Sequence, residues 1–89
     1  MEILRQAAAG TMESSDVYIE IGPGQGKREI FLDSVVLAQY GEEITRVIGE
    51  VLDDFDIGSV DLRVYDRGAL ECVLRARLET VILRGKENA

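Results

Sequence analysis

The chain has no histidine and no tryptophan, and only one cysteine among its 89 residues. Without an imidazole to relay a proton, serine hydrolase chemistry in its usual form is excluded. The same absence removes a principal zinc ligand. Cys72 has no partner for an internal disulfide, and as a nucleophile it would need a base or a positive site to form thiolate. It reads instead as a half-buried structural cysteine. Basic residues are also short: 10 Lys and Arg stand against 17 Asp and Glu, giving a net charge of −7 and a pI of about 4.5. That balance argues against nucleic acid, which demands a surplus of cations. It predicts repulsion from anionic lipid and attraction to basic patches on partner proteins. No apolar run approaches the roughly 20 residues that span a bilayer, and the N-terminus lacks the apolar core of a signal peptide. With a single unpaired cysteine, these absences lead to the expectation of a cytoplasmic protein.

What remains is enough for one domain, residues 1–89, with 46% hydrophobic residues. Residues 1–16 show no sustained periodicity and read as a flexible arm with a loop. Val17, Ile19 and Ile21 alternate with Tyr18 and Glu20, the pattern of a half-buried strand. Ile30 and Leu32 alternate with Glu29, Phe31 and Asp33 in a second strand, and the glycine-rich segment between them predicts a hairpin. From Val36 through Leu37, Tyr40, Ile44, Val47, Ile48, Val51 and Leu52 to Phe55 the apolar spacing is helical. Ser34 is placed to cap this helix and Gly58 lies just past its end. Val60, Leu62 and Val64 mark a third strand. Leu70, Val73, Leu74, Leu78, Val81 and Ile82 fit one helical face, with Glu71 and Arg75 spaced for an ion pair. Leu70, Cys72, Leu74, Ala76 and Leu78 also alternate as a strand would, but the helical pattern persists over three turns rich in Leu, Ala, Arg and Glu. Residues 85–89 read as a frayed tail. The predicted fold is therefore α+β: a two-layer sandwich with a three-stranded sheet, two helices on one face, and the order β-β-α-β-α. If the second and third strands run parallel, their connection through the long helix is a right-handed crossover.

Few residues offer chemistry. Gly22-Pro23-Gly24-Gln25-Gly26-Lys27 looks like a phosphate loop, but Arg28 and a strand follow the lysine where a P-loop needs Ser or Thr and a helix. It reads as a turn. Glu50, Asp53, Asp54 and Asp56 lack the alternating loop spacing of calcium ligands and read as a solvated acidic side of the helix, with docking as its possible use. Arg75 and Arg77 read as surface residues, with a cofactor phosphate as the alternative. The stretch Ala9-Gly10-Thr11-Met12-Glu13-Ser14-Ser15-Asp16 is different: small, hydroxyl-rich and turn-forming, it sets Ser14 where a modifying enzyme can reach it. A turn or capping serine is the plain reading of the same residues.

Three separated blocks carry a family resemblance. Ala9 to Val17, Tyr40-Gly41-Glu42-Glu43-Ile44, and Asp66-Arg67-Gly68-Ala69-Leu70-Glu71 continuing to Glu79 together resemble the acyl carrier proteins of citrate lyase, its gamma chains. The resemblance extends over nearly the whole chain. It implies that Ser14, matching the serine of the family's Gly-Thr-Leu-Glu-Ser pattern, carries 2'-(5''-phosphoribosyl)-3'-dephospho-CoA through a phosphodiester. Met12 replaces the leucine of that pattern, and Ser15 stands where glycine often follows. The implied role is a non-catalytic carrier with no catalytic and no metal-binding residue of its own. It would take acetyl and citryl thioesters between the alpha (acyl transferase) and beta (lyase) subunits as citrate is cleaved to acetate and oxaloacetate, after loading by a prosthetic-group transferase. Neither nucleic acid nor membrane is an implied partner. Fatty-acid-type carriers are helical bundles modified at Asp-Ser-Leu; Asp33-Ser34-Val35 is the nearest match here, and the strand patterns contradict an all-helical fold. The alternatives are the acyl carrier subunit of malonate decarboxylase and an acidic adaptor that carries no cofactor.

Overall fold

The computed structural model describes residues 1–86. Its elements run β1 (Ala7–Gly10), β2 (Val17–Gly22), β3 (Arg28–Ser34), α1 (Leu37–Asp54), β4 (Val60–Asp66) and α2 (Glu71–Lys86). The α+β class and the two helices agree with the sequence reading. The sheet does not: it has four strands in the order β1-β2-β4-β3, so the order along the chain is β-β-β-α-β-α.

The additional strand lies in what reads as an arm. Ala7 to Gly10 pairs antiparallel with β2, Ala9 opposite Ile19, and further upstream Ile3 is buried in the core. Three consecutive alanines leave no polar–apolar alternation to detect, although Ala9 itself is buried. The predicted hairpin is also absent. β2 and β3 are separated by β4, which pairs antiparallel with β2 and parallel with β3. Residues 23–27 therefore bridge a gap of roughly 10 Å, two strand spacings. β4 is central, and its Val60, Leu62 and Val64 are all fully buried, as Val17, Ile19 and Ile21 of the neighbouring β2 are. The parallel β3–α1–β4 arrangement meets the condition for a crossover.

Both helices lie on one face of the sheet. α2 crosses β1 and β2, α1 lies beside it toward β3, and the helices pack on each other. Ile44, Val47, Ile48, Val51 and Leu52 of α1 meet Leu74, Leu78, Val81 and Ile82 of α2 over Val17, Ile19, Ile21 and Leu62. Leu37 and Tyr40, expected on the buried side of α1, stay exposed because the first turns of the helix project beyond this core; Leu70 is likewise exposed, one residue before α2 begins.

The helix ends also differ from expectation. Ser34 does not cap α1; it ends β3, where its hydroxyl accepts the Val36 N–H at 3.1 Å and donates to Asp66 at 2.7 Å. α1 closes through Asp56, at φ 54°, with the Ile57 N–H donating to the Leu52 carbonyl at 2.9 Å, so the left-handed stop falls before Gly58. Gly85 and Lys86, read as the start of a frayed tail, belong to α2. Gly85 is there for close approach: a Cβ would lie 3.0 Å from Ile21 and 3.2 Å from Ile3, and its carbonyl accepts the N–H groups of Leu4 and Arg5. The rest of the predicted tail, residues 87–89, lies outside the described residues.

Candidate functional site

The loop between β1 and β2, residues 11–16, is a hairpin connection whose root is held from several sides. Gly10, at φ 90°, turns the chain into it, and a Cβ there would come within 1.8 Å of the Val17 carbonyl oxygen. That carbonyl accepts the Thr11 N–H at 3.2 Å. The Asp16 carboxylate gathers the two sides of the loop. One oxygen accepts the Thr11 hydroxyl at 2.7 Å; the other accepts the Val17 N–H at 2.7 Å. Arg77, from α2, donates to both oxygens at 3.2 and 3.1 Å. These bonds, the Thr11 hydroxyl foremost, hold the Asp16 carboxyl at about 2, below the 3.8 of an unperturbed side chain. The carboxylate is accordingly ionised throughout the neutral range.

A second set of bonds ties the loop to the end of β4. The Ser15 N–H donates to the Arg67 carbonyl at 2.8 Å, and the Arg67 N–H to the Asp16 carbonyl at 2.9 Å. Below them, buried Asp66 accepts the Ser34 hydroxyl at 2.7 Å and the Ala69 N–H at 3.0 Å. The loop, the end of β3 and the entry to α2 are thus fastened to one point at this end of the sheet.

Above that root, Met12, Glu13, Ser14 and Ser15 are exposed. The Ser14 hydroxyl takes part in no hydrogen bond among the described residues. Ser15 sits at φ 66°, in the left-handed region that favours glycine. That conformation is a physical reason for the glycine that often stands at this position in the pattern Ser14 matches. Ser14 therefore stands where the sequence places it, but on a hairpin within the sheet and not on a loose arm. Asp16, Thr11 and Arg77 are the residues that sequence reasoning missed in this role; 61 positions separate Asp16 from Arg77, too far for local spacing to connect them. Arg67 adds a half-buried guanidinium in no salt bridge among the described residues.

The other candidates have structural roles. Glu50 bonds to Arg75 and Arg46, which lower its pKa in that order, and Asp53 pairs with Arg28 at 2.8 Å. Among the described residues no group of His, Cys, Asp and Glu side chains is arranged to hold a metal ion. Arg75 also makes the expected pair with Glu71, at 3.0 Å, so it belongs to a helix–helix network. Gly26 donates its N–H to the Ser59 hydroxyl at 2.9 Å, fixing the glycine segment as a connection. Cys72 is exposed, contrary to the half-buried position expected; it falls on the solvent side of α2 next to inward-facing Val73 and Leu74. No helix among the described residues is long and apolar enough to cross a membrane.

Comparison with known proteins spans nearly the whole chain. Residues 4–85 match the family model described as "Malonate decarboxylase delta subunit (MdcD)". The chain is 45% identical over 89 residues to the citrate lyase acyl carrier protein of Serratia proteamaculans (strain 568), an alignment covering 99% of this chain and 87% of that one. It is 44% identical to the citrate lyase acyl carrier protein of Haemophilus ducreyi (strain 35000HP / ATCC 700724), covering 100% and 93%. That of Treponema denticola (strain ATCC 35405) is 40% identical, with 99% of this chain and 100% of the relative covered. Among solved structures, a chain in the crystal structure of a Pseudomonas malonate decarboxylase hetero-tetramer in complex with malonate superposes with a TM-score of 0.78 at 20% identity, over 94% of this chain and 87% of that chain. That last likeness establishes the shared fold.

Proposed function

The chain belongs to the family of citrate lyase acyl carrier proteins, and from that membership and the exposed Ser14 we propose that Ser14 bears a 2'-(5''-phosphoribosyl)-3'-dephospho-CoA arm through a phosphodiester. Acyl carrier proteins of this family are non-catalytic subunits that hold a prosthetic group. The observation that carries the assignment to Ser14 is an exposed, unbonded hydroxyl on a loop whose root is clamped by Thr11, Asp16 and Arg77.

The residues around that hydroxyl fit such a group. A phosphodiester adds a negative charge beside the loop. Arg67, whose backbone bonds to Ser15 and Asp16 and whose guanidinium is in no salt bridge among the described residues, is the cation that would hold it, Arg77 being committed to Asp16. When bound, the group supplies the terminal thiol on which acetyl and citryl units travel as thioesters. Everything else this chain does is mechanical. Ser14 anchors, Asp16 and Arg77 keep the anchor from drifting, and attachment at one fixed point raises the local concentration of the carried acyl unit at each partner active site. The partners in this reading are the alpha (acyl transferase) and beta (lyase) subunits of citrate lyase and the transferase that loads the arm, all in the cytoplasm. The description of the matching family model favours one second reading, an acyl carrier subunit of malonate decarboxylase. Whether the reconstituted complex consumes citrate or malonate decides between them.

Co-expression with the prosthetic-group transferase followed by intact mass measurement tests the proposal. The wild-type chain and Ser15→Ala should gain the mass of the arm, and Ser14→Ala should not. A gain that survives Ser14→Ala would reject the assigned attachment point.

A further inference from the structure

The face of the sheet turned away from the helices is covered by no element of the described chain, and it is not an ordinary solvated surface. By register, Tyr18, Tyr65 and Asp33 form one row across it, with Glu20, Arg63 and Phe31 in the next. The three aromatic rings are in touch: Tyr18 and Tyr65 have centroids 6.2 Å apart, Tyr65 and Phe31 5.8 Å. Phe31 is nevertheless 53% exposed. On the other side of the same strand Ile30 is 39% exposed, so β3 shows apolar side chains to solvent on both of its faces. An edge strand with two apolar faces is a liability in a chain that works alone.

The charge around these rings is one-sided. Glu20, Glu29, Asp33 and Asp61 share the face with Arg63, and none of the five enters a salt bridge among the described residues. The acidic side of α1 differs, because Glu43 and Glu50 are neutralised by Arg46 and Arg75. The sheet face thus keeps its negative field, whereas on α1 Glu43, Glu50 and Asp53 are paired and, among the described residues, Glu42 and Asp54 are not.

We propose that this open face, centred on Phe31 and Tyr65 and rimmed by Glu20, Glu29, Asp33 and Asp61, docks a partner protein presenting an apolar patch ringed by Lys and Arg. A second copy of the chain is the wrong occupant, because two such faces would bring like charges together. Anionic lipid is wrong for the same reason. Aromatic anchors inside a charged rim are what a protein interface concentrates its energy on, and the acidic rim sets the speed of encounter. The choice of probe rests on the carrier reading above: the partner surface is sought on the alpha and beta subunits of citrate lyase.

The test measures association of the full chain, co-expressed with the prosthetic-group transferase, with an immobilised alpha–beta assembly, while intact mass on the same samples reports whether the arm is loaded. Phe31→Ser and Tyr65→Ser should each weaken binding by roughly tenfold or more, with native circular dichroism retained. Glu29→Lys with Asp33→Lys should slow association at low salt, and the difference should shrink as salt rises. Unchanged binding in Phe31→Ser overturns the proposal. So does a loss confined to Glu42→Lys with Glu43→Lys on α1, or a wild-type dimer that Phe31→Ser dissolves. Loss of binding in Phe31→Ser with an unloaded wild-type chain supports the surface and counts against the carrier reading. Retained binding with a loaded chain overturns the surface and leaves that reading standing.

Discussion

β2 and β3 look alike as sequences, each a short alternation of apolar and polar residues, yet the fold treats them in opposite ways. Val17, Ile19 and Ile21 of β2 are wholly enclosed beneath α2, whereas Ile30 of β3, on the same face of the sheet, is more than a third exposed. Phe31 faces the open side with no helix over it. β2 is paired on both edges, by β1 and β4; β3 is paired on one. The difference teaches that alternation reports the presence of a strand but not its rank in the sheet. It also divides the molecule by task. The β1–β2 half holds a hairpin loop still, and the β3 half leaves an apolar edge for another protein to cover.

Substitutions that remove the same atoms from each half give the sharpest contrast. Ile19→Ala should destabilise the fold by about 2–5 kcal/mol in denaturant melts, because it opens a cavity in a filled core. Ile30→Ala should lose less than about 1 kcal/mol, because much of that side chain is already in water. Equal losses would break the comparison. Next in size is Gly10→Ala, expected to destabilise by roughly 1–3 kcal/mol through positive φ and the encroached Val17 carbonyl. A neutral result there would show that the hairpin root relaxes freely.

Acid gives a smaller effect with a definite sign. Asp16 is held at about 2 in the folded protein against 3.8 unperturbed, so its contribution is fully present above the higher value and is lost as pH falls through the lower. Between about pH 4 and pH 2 the wild-type Tm should therefore fall further than that of Asp16→Asn. Parallel curves would mean that the clamp on the loop adds nothing. The smallest effect is Ser14→Ala, within about 0.5 kcal/mol of wild type, since the exposed hydroxyl bonds to nothing among the described residues. A large loss would make Ser14 a structural residue.

Much of this was legible in the residues. The helices announce themselves through long apolar periodicity, Ile44 to Leu52 and Leu74 to Ile82, and the predicted ion pair of Glu71 with Arg75 is present. The run of small and hydroxyl residues marked what is an exposed loop, residues 11–15. What stayed hidden depends on distance along the chain or on small side chains. Ala7 to Gly10 pairs through its backbone, and alanine carries too little contrast to reveal a strand. β4 entering between β2 and β3 is a choice among pairings that neither strand encodes alone. Gly85 resembles a helix stop until Ile3 and Ile21 are seen packed against it. The clamp of Asp16 by Arg77 needs α2 folded over β1 before the two residues meet.

Ser14 is the proposed single point of attachment, and fragmentation mass spectrometry on loaded wild-type chain, resolving the peptide that contains Met12 to Val17, tests it most directly. The expected spectrum places the added mass on Ser14 and leaves Ser15 bare. Mass on Ser15, or on any residue outside the hairpin loop, would contradict it.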